Sequence, residues 1–192
     1  SDELVVLSEM TLHSLTGDGE IDLQDFLHRA DILCALDKNV LISNYGEYYR
    51  LAQYLFRYTQ RPIAVAMGLP SLREIFDEKY YDHLPGGILE SFGRMFKHDL
   101  KLFVCPALDP ETGEKAGVND LRVESHLRHL YAYLLETGNV RPLDSVDDRY
   151  LSIYSHEVVK MIRQGVPGWE SMVPEKVAEM IKAQGLFGAK RG

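Results

Sequence analysis

Four residues, Asn44, Gly46, Ser71 and Arg73, have the types and positions to hold a small anion. Asn44 and Gly46 follow one apolar strand-like run, and Ser71 and Arg73 follow another. An amide, a hydroxyl and a guanidinium beside the unpaired N–H groups of a helix start would bind a phosphate or carboxylate. The same letters also read as helix starts, because Asn44 with Glu47 and Ser71 with Glu74 have capping-box spacing. Caps of this kind are common, and capping outweighs ligand binding at both places. Pro85-Gly86-Gly87, ahead of a further helical stretch, could cradle a phosphate. Without a Walker lysine or a dinucleotide fingerprint it reads as a plain turn.

Metal chemistry finds less support. The run Thr16 to Asp25 can be aligned with a calcium loop that has Gly19 at its sixth position and Asp18, Ile21, Asp22 and Asp25 in register. Ser14 and Thr16 then stand where carboxylates are needed, so an Asp-Gly turn with an Asp22 helix cap is the better reading, and added calcium should not stabilise the chain. His126 and His129 are one helical turn apart but show no third ligand, and solvated or partly packed imidazoles are expected. No metal and no specific cofactor is assigned. No nucleophile elbow, metalloprotease, kinase or thioredoxin motif occurs in the sequence.

The elements that would position these residues alternate. Leu4–Leu7, Val40–Ser43, Ile63–Met67 and Leu102–Cys105 read as buried strands. Helical spacing follows in Leu23 to Ala30, Tyr48 to Tyr58, Leu72 to Tyr80 and Ile88 to Phe96. The expected fold is α/β: a four-stranded, mainly parallel, Rossmann-like sheet with helices on both faces and a C-terminal helical extension. Residues 1–108 form the expected α/β core, 109–121 an exposed loop or hinge, and 122–192 a helical part packed on the core. Within that last part, Val123 to Leu135 makes an apolar stripe, and a helix starts near Ser155. A final helix has Pro174 in its first turn and Gly185 at its end. Trp169 should be buried between the last two helices.

Composition narrows the function classes. The chain has 192 residues, is 45% hydrophobic and carries a net charge of −8, which speaks against a nucleic-acid binder. Cys34 and Cys105 sit in apolar runs and read as small buried hydrophobes in a reduced, cytoplasmic protein. No run is long and apolar enough to predict a membrane helix. The start at Ser1 and the soft ending suggest a piece of a longer protein.

The runs Val40–Arg50, Arg61–Phe76, Leu84–Glu90 and Pro167–Gly188 together resemble the C-terminal portion of a family of uncharacterised bacterial proteins. That family is associated with the labels nicotinate-nucleotide adenylyltransferase and TonB-dependent receptor. The resemblance covers most of the chain and implies a bacterial source and a link to nucleotide metabolism, such as a nucleotidyltransferase. It carries over no catalytic residue. The Gly-rich strand-end motif with paired histidines expected of the first label does not occur, nor do the alternating ten-residue strands expected of the second. The resulting expectation is a noncatalytic interaction or oligomerisation module of a larger bacterial cytosolic protein. Its partner would be the remainder of that protein or a second copy. The alternative is a nucleotide- or phosphate-ligand-binding domain with its site at Asn44, Gly46, Ser71 and Arg73.

Overall fold

The structure is a computed structural model and describes residues 4–12, 23–108 and 112–189. Along the chain come β1 (Leu7–Thr11), α1 (Leu23–Ala35), β2 (Asn39–Ser43), α2 (Tyr48–Leu55), β3 (Ile63–Gly68), α3 (Leu69–Ile75) and α4 (Gly87–Met95). They are followed by β4 (Leu100–Cys105), β5 (Ala107–Leu108), β6 (Lys115–Ala116), α5 (Arg128–Glu136), β7 (Val140–Pro142), α6 (Ser155–Gln164) and α7 (Glu175–Gln184). The chain divides into two compact units, Ser1–Gly46 with Ile153–Gly192, and Glu47–Ser152.

The fold is mixed α/β with parallel strands, but it does not contain the single four-stranded sheet expected from the sequence. β1 pairs with β2 in the first unit, and β3, β4 and β7 form a three-stranded parallel sheet in the second. The first strand also lies further along than expected. The apolar run Leu4–Leu7 is exposed (85, 67, 58 and 47%). Of that run only Leu7 pairs, opposite Asn39, and the strand continues through Ser8, Glu9, Met10 and Thr11 opposite Val40, Leu41, Ile42 and Ser43. Polar contacts help hold this register: Ser43 Oγ donates to Glu9 Oε1 at 2.5 Å, and Asn39 Nδ2 to the Val6 carbonyl at 3.2 Å.

In the second unit β4 is central, and its burial alternates. Leu100, Leu102 and Val104 are fully buried, while Lys101, Phe103 and Cys105 are half-buried. On β3, Met67 is buried, and Ile63 and Val65 pack on the same core, whereas Ala64 and Ala66 are exposed. Leu72 and Ile75 of α3, Ile88, Phe92 and Met95 of α4, Ala52 of α2 and Leu134 of α5 join that one core. Within this unit the helices therefore gather on one face of the sheet, where the sequence reading placed them on both. A period of two, not an unbroken apolar run, is the signature of a strand buried on one side.

The first unit builds its core from helices. Val158 and Ile162 of α6 and Val177, Ala178 and Ile181 of α7 surround Trp169, which is 6% exposed, and Ile32 and Leu36 of α1 pack against them. Glycines in the left-handed region end α6 and α7, Gly165 at φ 67° and Gly185 at φ 69°. Pro174 stands as the residue before α7 rather than inside it. Cys34 is exposed and Cys105 half-buried, so neither is the buried hydrophobe expected. Among the described residues no helix is long and apolar enough to cross a membrane.

Candidate functional site

The residues singled out from the sequence fall into two separate groups. Asn44 and Gly46 are exposed in the loop after β2, in the first unit; Ser71 and Arg73 share α3, in the second. Neither expected capping box forms. Glu47 is the residue before α2, without a side-chain cap, and Gly68 holds that place for α3, so Ser71 is already the third helical residue. Pro70 in the first turn removes one of the N–H groups that a polar cap would otherwise satisfy. Arg73 lies exposed in the last turn of α3, where its charge complements the carbonyl end of the helix.

The geometric premise of the strand-end site changes too. β2 and β3 belong to different sheets. Within β3-β4-β7 the strand order follows the chain without a reversal, so this sheet has no crossover switch to open a ligand crevice. A shallow cleft between α2 and the sheet is lined by apolar groups such as Leu51, Leu55, Val65 and Leu102, and offers no polar surface to an anion.

The two histidines of the 126–129 pair turn to different partners. His126 Nε2 lies 2.5 Å from Glu78 Oε2, and His129 Nε2 accepts from Arg128 Nε at 3.1 Å. Among the described residues no three His, Cys, Asp or Glu side chains gather as metal ligands. Most of the calcium-loop alignment lies outside the described residues. Its last member, Asp25, pairs with Arg29 at 2.6 Å.

A denser cluster of polar groups lies in the second unit, where α2 packs against α4. Tyr49, on the first turn of α2, is 2% exposed, and its hydroxyl lies between two groups. Arg50 Nε donates to it at 3.3 Å, and His83 Nε2 stands 3.0 Å away. The tautomer of His83 sets which of the two, the phenol or the imidazole, donates. Glu47 faces both partners at longer range: Oε2 is 3.7 Å from Arg50 Nε, and Oε1 is 3.9 Å from His83 Nε2. The Arg94 guanidinium of α4 lies 5.9 Å from the Tyr49 ring centroid and donates to Glu90.

The Pro85-Gly86-Gly87 turn belongs to this cluster. Gly86 N donates to Glu90 Oε2 at 2.8 Å, so the start of α4 is capped by its own carboxylate. A Cβ on Gly86 would come within 2.8 Å of the Glu90 Cβ, and Gly87 sits at φ +53°. Both glycines are thus required for the carboxylate to fold back. From the sequence, Glu47 to Arg50 and Gly86-Gly87 were visible as loop residues. His83 and Arg94 carried no signal, because only the packing of α2 on α4 brings them to Tyr49.

Two further tyrosines are held neutral by burial. Desolvation pushes Tyr81 up to about 12, and its hydroxyl donates to the Ile75 carbonyl at 2.8 Å. Desolvation likewise pushes Tyr131 up to about 12, and its hydroxyl donates to the Val118 carbonyl at 2.5 Å. Both act as structural ties between helix and loop.

Neither a family model, nor a curated protein, nor a solved structure matches this chain.

Proposed function

We propose that this chain is a noncatalytic interaction module that associates through the β1–β2 region of its first unit. One observation carries the reading: a parallel strand pair that lies outside both hydrophobic cores, flanked by exposed apolar side chains. Among the described residues none from β1 or β2 enters either core. Leu4 to Leu7 are exposed ahead of β1, as are Ile42 on β2 and Leu23 and Leu27 on α1. Parallel strands are ordinarily covered on both faces, and exposed apolar runs of this kind mark protein-binding surfaces. The occupant we put forward is a second copy of the chain, since homo-oligomers dominate among soluble assemblies.

The test is the oligomeric state. Light scattering after size-exclusion chromatography should give a dimer or larger species that dilution dissociates. The double variant Val5→Lys with Ile42→Lys should be monomeric. Its thermal stability should be nearly unchanged, because both side chains are already exposed. A monomer at the highest concentration reached, indifferent to these substitutions, would overturn the proposal.

A further inference from the structure

We infer that the cluster around Tyr49 is a binding site for a phosphate-type oxyanion, with Arg50, His83 and Arg94 as its donors. The argument rests on how charge is layered there. The three nitrogen-bearing side chains are the outer groups, with exposures of 51% for Arg50, 45% for His83 and 42% for Arg94. The two carboxylates lie deeper, Glu47 at 20% and Glu90 at 26%. An anion arriving from solvent therefore meets donors first, on a chain whose net charge is −8.

All three donors are oriented by one buried ring. The Tyr49 hydroxyl fixes Arg50 and His83, and the ring face lies beneath Arg94. Glu90 sets the Arg94 guanidinium through a direct ion pair. Glu47 is different. It faces both Arg50 and His83 at distances beyond a hydrogen bond, 3.7 and 3.9 Å, so its contacts are weak ones that a stronger acceptor can replace. A phosphate oxygen is such an acceptor, because arginine bonds to phosphate are short, charge-assisted and frequently paired. The site lies within the second unit and is independent of self-association through the first.

The experiment is calorimetric titration of the full chain with inorganic phosphate, AMP and adenosine in turn. Inorganic phosphate and AMP should bind, weakening as salt rises, and adenosine should not. The double variant Arg50→Gln with Arg94→Gln, its fold checked by circular dichroism, should lose ten-fold or more in affinity. Glu47→Gln keeps the size of the side chain but removes the competing charge, and should bind phosphate more tightly, a gain that a purely structural role for Glu47 would not produce. No phosphate binding by the unsubstituted chain, binding that follows adenosine rather than phosphate, or an unchanged affinity in the double arginine variant would each overturn the assignment. If that variant does not fold, Glu47→Gln decides: tighter binding supports the site, and unchanged or weaker binding overturns it.

Discussion

In the unit from Glu47 to Ser152, strands and helices share one core, with the inward side chains of β4 packed under four helices. In the unit made from both ends of the chain, helices α1, α6 and α7 carry the core around Trp169, and the strand pair stands apart from it. The difference lies in edges. β4 has a neighbour on each side, whereas among the described residues β1 and β2 pair only with each other. A central strand has its backbone satisfied and can devote one full face to packing; a two-stranded pair keeps two open edges and gains little burial by itself. Parallel pairing is common to both units, and it makes a core in only one.

The contrast can be broken most readily at Trp169. If the helices hold the first unit together, Trp169→Ala should cost about 3–5 kcal/mol in denaturant unfolding, and Trp169→Phe distinctly less. Because the chain has one tryptophan, its fluorescence reports on this unit alone. Native emission at the wavelength of water-exposed indole would contradict the helical core.

A smaller effect sharpens the other side. Tyr131→Phe should cost about 1–3 kcal/mol, since the Val118 carbonyl loses its donor while staying near a buried residue. The pH dependence follows the same two tyrosines. Folding holds Tyr81 and Tyr131 neutral up to about 12, against an ordinary value of 10.0. Their contribution to stability is therefore complete below pH 10 and is lost as pH rises towards 12. Absorbance titration of the eleven tyrosines should show a late fraction that ionises together with alkaline unfolding, and Tyr131→Phe should reduce it. Full ionisation of every tyrosine near pH 10, with the fold intact, would remove these ties.

The smallest effect belongs to the exposed run. Val6→Ala should change stability by no more than about 0.5 kcal/mol, since the side chain is already in solvent. A loss comparable to that of a core valine would mean that Leu4–Leu7 is covered in the isolated chain.

Much of the element order was legible in the sequence. β2, β3 and β4 lie where short apolar runs with β-branched residues placed them, and α2, α4, α6 and α7 follow their apolar spacing. β1 was misplaced because Leu4-Val5-Val6-Leu7 is the stronger apolar signal, while pairing with β2 selects the more mixed Leu7-Ser8-Glu9-Met10-Thr11. β7 went unseen: Val140–Pro142 is short, and it ends on a residue without an amide donor, which only an edge strand tolerates. The division of the strands between two sheets left no trace in local pattern, since alternation of strand and helix is the same whether or not the strands meet. The candidate site was legible only in part, because two of its three donors, His83 and Arg94, come from elements that reach Tyr49 through tertiary packing alone.

The interrupted layout of the first unit bears on the order of events during synthesis. Ile32 and Leu36 of α1 find their partners on helices near the other end of the chain, with the whole of Glu47–Ser152 between them. A ribosome makes α1 early and its cover last. The central unit has all its core residues in one continuous stretch and can close while α1 still waits. Until Ile181 has been added, Ile32 and Leu36 of the first helix lack their native cover, and this is the interval in which the growing chain is most open to misassociation or to a chaperone.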